Sequence, residues 1–380
     1  MDTESLLSPP RYQFGRQFSQ SGRPKLKIVI LGPSLDTSGN GHAAVYRGLL
    51  RELTLRGHDV LFLERDTDTA SQHRSSKPGC GQTEFYSDLK ELKDRFAATV
   101  RDADFTMVGS PVDEGAAMGE WITHTAQGAT AFYDTDLPAT MTELRRGAAD
   151  SISAELIRRF SLYLSSTGGP LLDYMEKHYG LPMARPLYPS VDATLYFPEP
   201  RELEWDLGYA GGFSEERHIL LHRLLLEPAQ RWNEGHFVVA GPGYPRSIRW
   251  PKNVKRIPQL PAAKRRAFYN SLRFALNVTP PGEIAIGFSP DARLFEAAAC
   301  GTPVISDFWP GLHMFFKPDE EILISHSSDE TLVYLEEIPE LDRRRMGYRA
   351  RERVLAGHTT RHRAAELENY ALEVLKLAPV

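Results

Sequence analysis

Short apolar runs recur along this chain, and the stretches between them carry a helical period. In the first half the runs are 27–32 (KIVILG), 59–63 (DVLFL), 105–109 (FTMVG), 129–133 (ATAFY) and 161–165 (SLYLS). In the second half they are 207–210, 236–240 (HFVVA), 254–257, 274–279 (FALNVT), 304–306 and 321–324. Runs this short, bounded by Gly, Pro or Asp, predict strands buried on both faces. Amphipathic stretches at 43–56, 85–101, 115–125, 171–179, 217–232, 261–271, 329–337, 341–355 and 360–377 predict the intervening helices. Strand and helix alternating in this way predict βα units and parallel sheets, so the fold class is α/β. Two segments break the pattern. The first, 1–24, is rich in Ser, Gln, Arg and Pro and predicts a mobile tail, while 66–82 predicts a long polar loop. No solenoid-type repeat is present.

A length of 380 residues suits two domains, and 41% hydrophobic with 25% charged residues is ordinary for a globular protein. A net charge of -5 argues against a general nucleic-acid binder and leaves room for a local basic patch. The cysteines are Cys80, in a polar loop, and Cys300, inside a helix, so neither a disulfide framework nor a zinc cluster is readable. No apolar run reaches membrane-spanning length and the N-terminus has no hydrophobic signal core. The expectation is a cytoplasmic enzyme in a reducing compartment.

The chemistry concentrates at predicted strand ends. Asp134 and Asp136 follow the run 129–133, where open α/β sheets bind ligands, and can act as general base or bind hydroxyls; Asp134, held directly on the strand end, is the favoured base. Asp136 precedes Leu137-Pro138 and equally suits the N-cap of the next helix. Gly211-Gly212 ends another strand ahead of Arg217, an arrangement fit for a diphosphate, though Arg217 also suits an ordinary i,i+4 helix pair. The stretch 289–307 (SPDARLFEAAACGTPVISD) reads as a helix capped by Ser289, with Pro290 in its first turn, stopped at Gly301 and running into a strand. Arg293 and Glu296 share one face of that helix, as a surface charge pair or as ligand groups, and Ala297 to Ala299 leave space for close approach.

The sequence RLFEAAACGTPVISD resembles the donor-site signature of glycosyltransferases with the two-Rossmann-domain (GT-B) fold, and more narrowly the CgeB-like, spore-maturation group. The resemblance runs from about Lys25 to the C-terminus. It implies two Rossmann-like domains facing each other across a cleft. The expected boundaries are a tail at 1–24, an acceptor domain at 25–188, a donor domain at 189–357 and a C-terminal helix at 358–380 that crosses back. It implies that Glu296 holds the ribose of a nucleotide sugar, and that Arg217 and Arg293 meet its phosphates. Tyr244, in the turn after 236–240, is placed against the nucleobase, or is simply packed. The glycine loop ending in Gly41 is placed in the cleft, or is an ordinary βα loop. His42 falls where some inverting members keep their base, although a cap or an exposed position explains it as well. Many relatives carry a second glutamate at the place of Phe288, which this chain lacks. The implied activity is metal-independent transfer from a UDP- or dTDP-sugar co-substrate to an acceptor hydroxyl, with no tightly bound cofactor. The acceptor is a small molecule, glycan or protein. A nucleotide-sugar epimerase of the same fold and a catalytically silent sugar-nucleotide binder are the alternatives.

Overall fold

The computed structural model describes residues 23–35, 41–66, 81–146 and 152–377. The tail at 1–22, most of the loop 66–82, Gly39-Asn40, the His42 side chain and Cys80 lie outside the described residues. Contacts divide the chain into two units, Met1–Tyr188 with Thr360–Val380, and Pro189–Thr359.

The strands of the first unit are β1 (Lys27–Gly32), β2 (Asp59–Arg65), β3 (Gln82–Tyr86), β4 (Phe105–Gly109), β5 (Ala129–Asp134), β6 (Leu162–Ser165) and β7 (Ala184–Pro186). They form one parallel sheet in the order β3-β2-β1-β4-β5-β6-β7. Its helices are α1 (Gly41–Leu55), α2 (Leu89–Arg101), α3 (Gly115–Thr125), α4 (Leu137–Arg146), α5 (Ala154–Ile157) and α6 (Pro170–Tyr179). The central strands are apolar at nearly every position because both sheet faces are covered. Leu92, Phe96, Met118, Ile122 and Met175 cover one face. Tyr46, Leu49 and Leu53 of α1 cover the other, together with Leu367 and Ala371 from the end of the chain.

The second unit repeats the design with β8 (Trp205–Ala210), β9 (Phe237–Ala240), β10 (Val254–Ile257), β11 (Leu272–Asn277), β12 (Val304–Ser306) and β13 (Leu323–Ile324), in the order β10-β9-β8-β11-β12-β13. Its helices are α7 (Glu215–Leu221), α8 (Glu227–Arg231), α9 (Ala262–Asn270), α10 (Pro281–Ile286), α11 (Ala292–Ala299), α12 (Ser328–Glu337) and α13 (Glu340–Gly357). The last helix, α14 (Thr360–Leu377), packs on α1 in the first unit. Strand order reverses between β1 and β4 and again between β8 and β11, and in open parallel sheets such points bind ligands beyond the strand carboxyl ends.

Local structure departs from the pattern in several places, the short elements Ala154–Ile157 and Ala184–Pro186 among them. Gln82–Tyr86 is an edge strand, and helix α2 starts only after Asp88, whose carboxylate accepts Glu91 N–H at 2.8 Å. The stretch 217–232 is two short helices around a π turn, His222–Leu226. The expected loop at 280–288 contains α10. The signature helix is capped by Asp291, not Ser289, because Asp291 Oδ1 accepts Arg293 N–H at 2.9 Å while also binding the Arg293 guanidinium.

Candidate functional site

Three segments meet at the carboxyl end of β8. The strand delivers Tyr209 and Ala210, then Gly211-Gly212, and α11 brings Arg293 in from the side. Arg293 grips Asp291 through Nε (2.9 Å to Oδ1) and Nη2, and its Nη1 donates to Tyr209 Oη at 2.8 Å and Ala210 O at 3.1 Å. A Cβ on Gly211 would stand 2.4 Å from Arg293 Nη1, so glycine is needed here to admit the arginine. The Gly211 and Phe213 N–H groups donate to Ala240 O (2.8 Å) and Pro242 O (2.9 Å). These two N–H groups are therefore not available to a bound anion.

Arg217, on α7, is held differently. Its Nη2 lies 3.6 Å from Glu283 Oε1 of α10 and 3.9 Å from Asp291 Oδ2, and its buried Nε has no hydrogen-bond partner. Arg293 is locked by short contacts, whereas Arg217 has loose ones. Burial alone would raise the Asp291 carboxyl, but Arg293 and then Arg217 hold it well below the usual carboxylate range. Asp291 is thus an anion lodged between two guanidiniums.

Glu296 is 7% exposed. Its Oε2 accepts Tyr269 Oη at 3.0 Å and its Oε1 faces Arg265 Nη1 at 3.4 Å. Burial pushes its pKa up, opposed by Arg265 and by hydrogen bonds from Tyr196 and Tyr269. In the run Lys264-Arg265-Arg266, Lys264 is exposed, whereas the two arginines are half-buried and engaged. Arg265 pairs with Glu296, and Arg266 pairs with Glu199 at 2.9 Å and lies 4.1 Å over the Phe197 ring. Tyr244 donates through Oη to Gly211 O at 3.2 Å, and its ring lies 4.0 Å below the Arg256 guanidinium, which also covers Trp250. At the place of the second family glutamate, Phe288 is buried with φ 52, and its N–H donates to Pro310 O at 2.6 Å.

Asp307, at the carboxyl end of β12, was not singled out from sequence. Its Oδ1 accepts Thr279 N–H at 2.9 Å and Thr279 Oγ1 at 3.1 Å, while its buried Oδ2 has no partner. Burial pushes it to about 7 against those hydrogen bonds.

In the first unit, Asp134 ends β5 and is 1% exposed. Its Oδ2 accepts Tyr163 Oη at 2.5 Å and its Oδ1 accepts Asp136 N–H at 2.8 Å. Burial raises its pKa, opposed by Tyr163, the Asp136 N–H and Thr140. Asp136 is exposed, and its Oδ1 caps α4 at Ala139 N–H (3.2 Å). Hydroxyls crowd the same rim, with Ser110 Oγ 3.2 Å from Thr135 Oγ1 and Ser166 Oγ donating to Thr135 O at 3.0 Å. Gly41 is the first residue of α1. Among the described residues no cluster of His, Cys, Asp and Glu is arranged to hold a metal, and no helix is long and apolar enough to cross a membrane.

Apart from Asp291, the partners of Glu296 and Arg293 lie far from them in sequence. One signal was available: Arg265 and Tyr269 are four apart and share a face of α9.

A family model described as "Glycosyl transferase-like" matches residues 217–369. No curated protein sequence matches. Among solved structures, sucrose-phosphate synthase from Thermosynechococcus elongatus is 13% identical, with TM-score 0.65 over 93% of this chain and 100% of that one. HepE from Anabaena, in complex with UDP and glucose, is 13% identical, with TM-score 0.65 over 91% and 99%. An alpha-glucosyltransferase, in complex with UDP-glucose and DNA containing an abasic site, is 14% identical, with TM-score 0.68 over 92% and 100%. At these identities the likeness establishes the fold, the α/β architecture of two Rossmann-type units that these proteins share.

Proposed function

We propose that this protein is a glycosyltransferase that moves a sugar from a nucleoside-diphosphate sugar to an acceptor hydroxyl without a bound metal. The observation that carries the reading is the loosely held Arg217 beside a locked Arg293, at the strand-order reversal of the second unit and both inside the segment matched as glycosyl transferase-like. The UDP and UDP-glucose bound to structural neighbours support a UDP-hexose donor.

Transfer breaks the bond between the anomeric carbon and the phosphate oxygen, and negative charge gathers on the departing diphosphate. Without a metal, guanidinium groups must stabilise that charge. Arg217 contacts the phosphates directly, displacing its weak contacts to Glu283 and Asp291. Arg293 acts through position, fixing Asp291 and the Gly211-Gly212 turn. Glu296, oriented by Tyr269 and Arg265, accepts from the ribose hydroxyls. Tyr244 shapes the base pocket from its stacked position under Arg256.

On the acceptor side, proton removal needs an accessible base. Asp134 has both oxygens engaged and serves as a positioning residue, holding the turn that presents Asp136. Asp136 is the favoured base and His42 the alternative.

The test is incubation of the pure protein with a panel of nucleotide sugars while monitoring hydrolysis. Release of free sugar and nucleoside diphosphate is the expected result. An epimeric sugar nucleotide, or binding without turnover, overturns the reading in favour of an epimerase or a silent binder.

A further inference from the structure

Helix α10 stands at the rim of the second unit and buries none of its six residues. What holds it lies at its two ends. Ahead of it, Thr279 donates to Asp307 Oδ1 through its N–H at 2.9 Å and through Oγ1 at 3.1 Å. Behind it, the Phe288 N–H donates to Pro310 O at 2.6 Å. A Cβ on Gly287 would stand 2.7 Å from that same oxygen, and φ 70 there also favours glycine. Both anchors fall on residues 307–310, the segment leaving β12. The helix is thus fixed at its ends while its side chains lie outside the core.

One of those side chains is charged and faces Arg217. Glu283 Oε1 lies 3.6 Å from Arg217 Nη2, an ion-pair distance too long for a hydrogen bond. The two side chains are 28% and 27% exposed, so a ligand can reach the pair. Arg217 also carries a buried Nε with no hydrogen-bond partner, which leaves its guanidinium under-satisfied. Asp291 stands 3.9 Å from the same Nη2, but it is already engaged by Arg293 through N–H and Nε, each at 2.9 Å, and through Nη2.

The charges of this connected set cancel, Arg217 and Arg293 against Asp291 and Glu283. A diphosphate arriving at Arg217 therefore meets a carboxylate already in place, and like charges at such range repel. One of the two carboxylates can give way. Asp291 is clamped by Arg293 and caps α11. Glu283 is held to Arg217 by charge alone and sits on a helix that buries nothing.

We propose that Glu283 is an internal competitor for the donor diphosphate: it occupies Arg217 in the empty site, yields to the phosphates, and reclaims Arg217 as the nucleoside diphosphate leaves. The inference rests on the reading of Arg217 as the phosphate contact and adds what limits affinity there. A diphosphate brings more oxygens and more charge than one carboxylate, so a guanidinium exchanges the second for the first. The helix itself stays in place, because its anchors at Thr279 and Phe288 do not involve Glu283. Weaker holding of the product favours its release, a step that sets the turnover of many enzymes.

The experiment is calorimetric titration of the full-length protein with UDP and, separately, with uridine. The forms compared are wild type, Glu283→Gln, Arg217→Ala and the double variant, with unfolding midpoints to verify that each folds. Glu283→Gln keeps the shape of the side chain and removes its charge. It is expected to bind UDP about tenfold more tightly, as loss of a nearby like charge predicts. Uridine, which has no phosphate, should bind wild type and Glu283→Gln equally. In the Arg217→Ala background the gain should vanish. Unchanged or weaker UDP binding by Glu283→Gln overturns the inference. So does a gain that persists without Arg217, since the carboxylate would then act on the ligand rather than on the arginine. Arg217→Ala alone tests the underlying reading: if it weakens UDP binding, that reading stands whatever Glu283 does. If it does not, or if no form binds UDP, reading and inference fall together.

Discussion

The two units share a sheet order and differ at the rim where that order reverses. In the second unit the rim is ionic, with Arg217, Arg293, Asp291 and Glu283 forming a connected set at the end of β8. In the first it combines hydroxyls and buried carboxylates with an exposed pairing of Arg65 to Asp113 and Glu114. Asp134 lies under Tyr163, Ser110 meets Thr135, and Ser34 Oγ donates to Glu64 Oε1 at 2.5 Å. The lesson is that Rossmann topology supplies a place for chemistry, while the side chains at the strand ends decide its kind. A guanidinium rim suits a charged leaving group. A hydroxyl-rich rim with an exposed carboxylate, Asp136, at the end of β5 suits a neutral acceptor and a single proton transfer.

The strongest way to break this contrast is to neutralise the ionic rim. Arg217→Ala is expected to lower turnover about 10²–10³-fold, the cost of losing one group aimed at developing charge. Steady-state kinetics on a folded variant check it, and near-normal turnover would remove Arg217 from the site. On the other rim, Asp136→Asn should lower transfer by about 10²-fold with donor affinity kept, as loss of a general base predicts. If that variant stays active while His42→Ala is dead, the base is His42.

Asp307 gives a pH test of the second unit. Its folded pKa is raised from 3.8 to about 7, so the folded state holds a proton that the unfolded state has lost between those values. The associated stability is fully present below the unfolded value and disappears as pH rises through about 7. The wild type should lose on the order of 3 kcal/mol between about pH 4 and pH 8 from this group, and Asp307→Asn should flatten that part of the profile. Urea unfolding across the range decides; parallel profiles would show that Asp307 does not titrate there.

Smaller still, Glu296→Ala is expected to weaken donor binding by roughly 1–3 kcal/mol, the scale of a hydrogen bond to a charged group. Unchanged affinity by calorimetry would confine Glu296 to bracing α9 against α11. The smallest effect is the one expected from EDTA, which should leave transfer rates unaltered. Loss of activity restored by a divalent ion would overturn the metal-free mechanism.

The central strands were legible because burial on both faces makes them continuous apolar runs, and β1, β4 and β5 fall where those runs lie. The edges were not. Gln82–Tyr86 is half-buried and blends into the following helix, and Ala184–Pro186 holds a proline, which only an edge strand tolerates. Helix α10 was hidden by Pro280, Pro281 and Gly282, which spell a turn to any local reading.

At the site the division is just as physical. The sequence alone determined which segments end at a strand mouth with glycine, arginine or carboxylate, since that follows from local period and turn chemistry. Only the tertiary structure decided which charges meet. It brought Arg265 to Glu296, thirty-one positions away, and Tyr209 to Arg293, eighty-four away. It buried Asp134 under Tyr163 and left Asp136 exposed, although the two are neighbours on one turn. Pairing of this kind depends on helices packed from distant parts of the chain, and desolvation depends on what covers a group. Neither is encoded within the window that sets a strand or a helix.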